Sequence, residues 1–415
     1  MKQLYFVESI TSNPDTSEVA IVLEKVGKEN AQLNENDSND EFELHKFLQF
    51  PVLADSKRRL EESHYVYFEN GSFTSGQDNP LAIERRKLNS RLRREIIKNN
   101  SIKQTELSPL PVFTEHAEVH SYHVNVGHGN CTFILIQENG SYELWVVDCG
   151  EHDYLERKNY RHNIDACLID ISVKLKRKLS DIRISRLLIT HWHFDHISGI
   201  NHLIKDKFVD SNTIVFANVH YGFSSKCANS LLGLIANMKN TCYEPTVALK
   251  GFPNIAILYP ECRIRRHPNL KDSGYRIVRN VNDSSVVYSI EIAGRRMIFP
   301  GDLEQDGWDH MTKLGKCCPS LQKCDFYCIS HHGSITGHIN RPCMCNSGND
   351  IISCCKKECS VAILMGRDRA YNGIFCPTVI NDFASRIFYS GKDSSGRNAR
   401  GFVLDWSSFT SRYLY

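Results

Sequence analysis

The sequence predicts a small, separate α+β region over residues 1–115, followed by a larger α/β domain over residues 116–415. Three observations lead there. From Val119 onward, short apolar runs recur, each closing on Gly, Asp or His, with helical patterns such as residues 164–178 between them. Before that point the texture differs, with short strand-like runs, an acidic Asn-rich stretch and one long basic segment. Polar residues also gather where the later strand-like runs end, which is where open α/β sheets bind ligands.

Composition narrows the class. Fifty Lys+Arg against 48 Asp+Glu leave a formal charge of +2, so no global polycationic character points to a nucleic-acid partner. No run approaches the ~20 apolar residues of a membrane span, so no membrane partner is expected. Residues 1–8 hold one Lys but no long apolar core, which argues against a secretory signal and for a cytoplasmic chain. The sixteen cysteines then read as reduced thiols or metal ligands instead of a disulfide framework.

In chain order, residues 4–7 and 19–23 predict strands, and the acidic residues 29–43 a solvated loop. Residues 64–68 run into Asn70-Gly71, a hairpin signal because both residues tolerate positive φ. Residues 81–103 hold eight basic and two acidic residues, with Leu88, Leu92 and Ile96 at i, i+4 spacing, and predict an amphipathic helix with a basic outer face. Pro109 and Pro111 mark a linker. Strands are expected at residues 122–126, 131–136, 144–147, 186–190, 286–292, 296–299, 325–329 and 361–365.

The chemistry concentrates at residues 187–199, where an apolar strand ends in Thr190 and is followed by His191, His193, Asp195 and His196. On a tight loop, His191 and His193 can point into one metal while Asp195 and His196 turn toward a second. Imidazole with carboxylate suits zinc, manganese or iron, and two such ions ~3.5–4 Å apart can clamp a hydrolytic displacement.

This His-x-His-x-Asp-His loop resembles that of the metallo-β-lactamase-fold hydrolases, which implies an αβ/βα sandwich. Residues 123–130 (HVNVGHGN) look like the glycine-rich first strand and turn of the soluble nuclease-like domain of ComEC-type competence proteins. Residues 146–150, 282–287, 297–304 and 329–334 follow the same order, so the likeness extends from about Val119 to Trp406. It implies that His191, His193, Asp195, His196, Asp302 and His331 bind two ions, zinc or alternatively manganese, with Asp302 bridging. Asp195 and His332 are the catalytic candidates, His332 beside the leaving group as acid or substrate contact. Which of His331 and His332 binds metal stays open, with His331 favoured. Asp148 is expected to hydrogen-bond a ligand histidine from behind.

Some features depart from that pattern. Many dinuclear members place a further histidine between the loop and the bridging aspartate; here the interval offers His202, His220 and His267, of which His220 is the best-placed third-histidine candidate. The branch often has acidic residues where this chain has Asn125 and Asn130, and Gln in place of His128. Its late Tyr-Gly-His-Pro turn corresponds to residues 371–377, which lack a histidine. Nine of the cysteines fall between Cys317 and Cys359, and Cys343, Cys345, Cys354, Cys355 and Cys359, in a Cys-rich insertion at about 341–360, could ligate a structural zinc.

The expected function is a metal-dependent hydrolase, a phosphodiesterase or nuclease acting on DNA through a metal-activated water. Alternatives are hydrolysis of a small phosphodiester or ester, and a catalytically weak metal-binding scaffold or sensor subunit of a larger assembly. Residues 1–115 would cap the active-site mouth, bind a protein partner or form a homo-oligomer.

Overall fold

The computed structural model describes residues 2–12, 18–27, 42–49, 51–56, 58–103, 112–154, 156–247, 252–266, 275–278, 280–313, 324–338, 359–368 and 374–415. Strands Leu4–Ser12, Val19–Val26, Phe42–Phe47, Tyr65–Glu69 and Ser72–Ser75 form one antiparallel sheet with Leu4–Ser12 at its centre. Asn70 (φ 50°) and Gly71 (φ 75°) make the hairpin turn in the left-handed region that their side chains allow. Phe42–Phe47 pairs with Val19–Val26, a strand that was not expected and that starts within the last two residues of the expected 29–43 loop; it is an edge strand with weak apolar alternation.

Alternation gives this sheet two uses. Tyr5, Val7, Ile21, Leu23, Val66 and Phe73 close a small core of their own. Leu4, Phe6, Val26 and Tyr65 instead join the main core of the chain, together with Leu92 and Ile96 from helix Pro80–Lys103. Polar bonds fasten the same face: Tyr65 donates to the Ser224 carbonyl at 3.0 Å, and Asn89 to the Phe223 carbonyl at 2.7 Å. Asn100 and Cys242 exchange bonds like a strand pair.

The second part is built on two sheets. Eight strands run in the order Cys242–Tyr243, Ile214–Phe216, Arg186–Leu188, Ser141–Cys149, Cys131–Glu138, Glu118–Val124, Gly401–Asp405, Ser411–Leu414. Six run Ile255–Tyr259, Val287–Ile292, Arg295–Phe299, Phe326–Cys328, Val361–Leu364, Ile387–Tyr389. Every strand expected from the apolar runs is present. The pair Gly401–Asp405 and Ser411–Leu414 was not anticipated, and it closes the sheet against Glu118–Val124.

Period-2 patterning sorts side chains between layers. Ile134, Ile136, Trp145 and Val147 from the first sheet meet Met297, Phe299, Phe326 and Ile363 from the second in one buried cluster. Their neighbours Phe133, Leu135, Val146, Ile298 and Leu364 turn the other way and pack with helical residues. Helix Arg161–Leu175 contributes Ile164, Cys167, Leu168 and Ile171, and ends at Lys176 in left-handed conformation. Trp308, Met311, Val379 and Phe383 come from helices Gln305–Lys313 and Pro377–Phe383. The result is a four-layered αβ/βα arrangement. Among the described residues, no helix is long and apolar enough to cross a membrane.

Because Phe6 is fully buried and contacts Tyr65 and Phe223 edge-on at 5.2 Å, the N-terminal sheet and the second domain should unfold together. Phe6→Ala is expected to lower the stability of the whole chain by about 3–5 kcal/mol, read as a shift of one shared denaturant transition.

Candidate metal centre

Strand ends from both sheets converge on one point. Strands Ser141–Cys149 and Arg186–Leu188 are parallel neighbours, and so are Arg295–Phe299 and Phe326–Cys328. Their C-terminal ends deliver Asp148, the His191–His196 loop, Asp302, and the His331–His332 turn. The two sheets are stitched at that end by Val286 N–H donating to the Thr190 carbonyl at 2.9 Å and by the Tyr288 hydroxyl donating to Ile189 at 3.0 Å.

Asp195, His196, Asp302 and His332 are buried and bring ligand atoms within 4.8 Å of one another. His196 Nε2 lies 3.2 Å from Asp302 Oδ1, yet neither atom makes a well-formed hydrogen bond. Atoms this close that do not aim at each other fit convergence on a shared cation. His332 Nε2 lies 3.1 Å from Asp195 Oδ2 and 3.4 Å from Asp302 Oδ2, while its Nδ1 faces the Met365 carbonyl. The donor set, two carboxylates and two imidazoles, suits zinc or manganese.

Asp148 stands behind the loop. Its Oδ1 accepts the Thr190 N–H at 2.8 Å, and its Oδ2 accepts the Thr190 hydroxyl at 2.7 Å and His196 Nδ1 at 2.9 Å. The His196 proton is thereby placed on Nδ1, leaving the Nε2 lone pair available to a cation on the side of Asp302. Gly129 and Gly150 let the loop sit close: a Cβ on either would collide with the Asp195 carbonyl, which accepts the Asn130 N–H at 3.2 Å.

His191 Nε2 and His193 Nδ1 are 3.2 Å apart. Thr190 gives its hydroxyl proton to Asp148, so it accepts from His191 Nδ1 at 3.1 Å, and His191 Nε2 keeps its lone pair. His193 Nε2 faces Glu62 Oε1 at 3.8 Å. The His191–His193 contact is within hydrogen-bond distance, its direction set by the His193 tautomer.

The histidine pair at the second turn differs from expectation. His331 and His332 both adopt left-handed conformation (φ 49° and 50°), which throws their rings apart. His332 joins the carboxylates, whereas the favoured His331 directs Nδ1 to Glu304 at 3.1 Å and keeps Nε2 3.9 Å from Asp302 Oδ2. His220 does not join this group; its Nε2 pairs with Glu244 at 2.8 Å. Of the cysteine candidates, Cys343, Cys345, Cys354 and Cys355 lie outside the described residues, as does His267, and Cys359 is buried with Sγ 2.8 Å from the Val361 carbonyl.

Four residues enter the site that the motif did not name. His128, with its ring 4.4 Å from that of His332 and Nε2 3.6 Å from Asp195, comes from the glycine-rich turn, so a histidine beside those glycines was the available signal. Glu304 follows Asp302 by two positions. Glu8 and Glu62 come from the N-terminal region, where nothing local marks them. Glu8 accepts the Phe194 N–H at 2.9 Å through Oε1 and, with Ser9, Tyr154, His193, Asp195, Asn282, Asp302 and His331, lines one narrow cleft.

Electrostatics follow from burial and pairing. Burial opposes ionisation of Asp195 and Asp302, but His196 and His332 beside both hold the two carboxyls well below the usual range. Conversely, burial disfavours a charged His332, and Asp302 with Asp195 outweighs it, lifting His332 to about 9. Burial and the neighbouring His332 push His128 down to about 3. Burial, reinforced by Glu304, raises Asp283 to about 7.

Two outcomes follow. Asp148→Asn would offer an N–H to His196 Nδ1 and move the imidazole proton to Nε2; metal affinity, measured by chelator competition, is expected to fall about 10–100-fold. Asp283 keeps its proton in the folded state up to about 7, whereas the unfolded chain releases it near about 3.9, so the wild type loses stability as pH rises between those values. Asp283→Asn should therefore melt with the wild type at about pH 4 and above it at about pH 8.

No curated protein matches this chain. Among solved structures, the metallo-beta-lactamase fold protein YhfI from Bacillus subtilis is similar at 11% identity and a TM-score of 0.37, over 69% of this chain and 99% of that one. Residues 124–211 match the family model of the metallo-beta-lactamase superfamily, a span that contains the glycine-rich turn, Asp148 and the whole His191–His196 loop. With that match, and with two stacked sheets whose strand ends carry the loop, the chain has the metallo-β-lactamase αβ/βα sandwich fold.

Proposed function

We propose that this protein is a metal-dependent hydrolase of phosphodiesters, with DNA as its substrate. The observation that carries the hydrolase reading is the buried quartet of Asp195, His196, Asp302 and His332, with His191 and His193 adjoining it. Divalent cations held there would supply Lewis-acid charge and acidify water. The chain's own groups do the remainder. Asp302 faces both His196 and His332, so it is placed to bridge. His331 lines the cleft, takes its orientation from Glu304 and Thr336, and is placed to give a proton to a leaving group from Nε2. It takes the role that the sequence assigned to His332.

The DNA reading rests on the likeness of motifs 123–130, 297–304 and 329–334 to the ComEC-type branch, and on local charge. Lys87, Arg91, Arg94 and Lys98 lie on one exposed stripe of helix Pro80–Lys103, a surface fitted to a phosphate backbone. Other basic residues serve the fold: Arg85 pairs with Glu24, Arg186 stacks on Trp145 at 4.2 Å, and Arg266 bonds to the Glu62 carbonyl. A second reading, hydrolysis of a small phosphodiester, is supported by the narrowness of the cleft, whose lining residues are drawn from both the N-terminal sheet and the metal-site loops.

Plasmid, linear duplex, RNA and bis(p-nitrophenyl) phosphate offered with zinc or manganese separate these. Metal-dependent DNA cleavage lost at least about 100-fold in Asp195→Asn and Asp302→Asn is expected. Turnover of the small ester alone would transfer the assignment to the second reading, and cleavage indifferent to both substitutions would refute the site.

A further inference from the structure

We infer that the N-terminal sheet makes this an end-acting enzyme: strand Leu4–Ser12 crosses the cleft as a fixed strap, so that only a phosphodiester close to a free end of a nucleic-acid strand can enter. This specificity rests on the phosphodiesterase reading above and narrows its substrate to strand ends.

Three consecutive residues carry the strap. The pairing of Leu4–Ser12 with Val19–Val26 shifts register between Val7 and Ser9, which leaves Glu8 outside the ladder, and such bulges re-aim side chains. Glu8 Oε1 accepts the Phe194 N–H at 2.9 Å and ties the strand to the His191–His196 loop of the first large sheet. Two residues on, the Ile10 N–H donates to Glu62 Oε1 at 3.0 Å, and Glu62 Oε2 accepts the Val281 N–H at 2.9 Å. Val281 adjoins Asn282, which lines the cleft with Asp302 and His331, so this bridge reaches the rim supplied by the second sheet. Ser9, between the two attachments, is half-buried and lines the cleft itself. Phe42 of the same N-terminal sheet adds a third attachment, with its ring 4.7 Å from that of Phe194 and 5.6 Å from that of Tyr154, another lining residue. Swinging the strap away would pull Phe6, on the same strand, out of the main core, so the strand is a fixed wall and not a lid.

Cleavage within an unbroken strand needs a groove open at both ends, because the backbone runs on past the reacting phosphate in two directions. Here Asp195, His196, Asp302 and His332 are buried, and the cleft beside them is closed where the strap joins both rims. A strand can enter by a terminus but cannot run through. Hydrolysis there adds water across one P–O bond near the terminus and releases the end fragment, the proton passing to the departing oxygen.

Single-stranded DNA of one sequence, offered to the full chain with manganese as a linear molecule and as a covalently closed circle, tests this. The linear form is expected to be shortened progressively from an end, and the circle to be cut at least about 100-fold more slowly. Streptavidin bound to biotin at both ends should protect the linear form. Ser9→Trp, which fills the gap between the two attachments, is expected to lower kcat/KM on the linear strand at least about tenfold in a chain that melts with the wild type, and to cost more on that strand than on bis(p-nitrophenyl) phosphate. Cutting of the circle at the rate of the linear form, cleavage indifferent to blocked ends, or an unchanged Ser9→Trp would overturn the strap and leave the hydrolase reading standing. Turnover of the small ester with neither DNA cut would instead refute DNA as the substrate, and this inference with it.

Discussion

Two buried carboxylates, Asp195 and Asp302, face the Nε2 atoms of His196 and His332 at the junction of the two sheets. Charges removed from water are costly unless opposed, so this junction requires either protonated imidazoles or bound cations. Much of the surrounding structure maintains that opposition. Asp148 and Thr190 set the tautomers of His196 and His191. Gly129 and Gly150 leave room for the Asp195 backbone. The bond from His331 N–H to the Gly301 carbonyl, at 3.1 Å, ties the second turn to the Asp302 loop. Two consecutive non-glycine residues in left-handed conformation are sparsely tolerated, and here they separate a histidine that faces Asp195 from one that lines the cleft beside Glu304.

The N-terminal region is part of this arrangement. It has its own sheet and a small core, but its other face lies in the main core, and Glu8 and Glu62 reach the metal loop through backbone and side-chain bonds. The cleft is thus walled on one side by a strand that precedes the sandwich by more than a hundred residues. That wall narrows the opening and sets two buried acidic side chains against the His193 loop. Both effects bear on which substrate fits.

Much of the chain's basic charge serves the fold and not the surface. Arg85, Arg186 and Arg266 are buried in ion pairs, ring contacts or carbonyl bonds, and Lys174 pairs with Glu118 at 2.7 Å. The exposed stripe on helix Pro80–Lys103 is what persists of the basic segment. Periodicity had indicated it, because a helix that buries Leu92 and Ile96 must present Lys87, Arg91 and Arg94 on other faces.

Local pattern determined a good deal. Apolar runs of strand length, Asn70-Gly71 at a tight turn, and the spacing of His191, His193, Asp195 and His196 are properties of neighbouring residues, and each is found where short-range chemistry placed it. The layering also followed, since alternate residues such as Ile134 and Leu135 must leave a strand on opposite sides. Tertiary structure decided what depends on residues distant in sequence. It turned His332 toward Asp195 and His331 toward Glu304 through a backbone reversal that identical side chains cannot signal, paired His220 with Glu244, and set Glu8 and Glu62 beside a loop formed nearly two hundred residues later in one case and over a hundred in the other. A lone glutamate in a strand has no periodic or motif signature; only the packing of one sheet on another gives it a site to face.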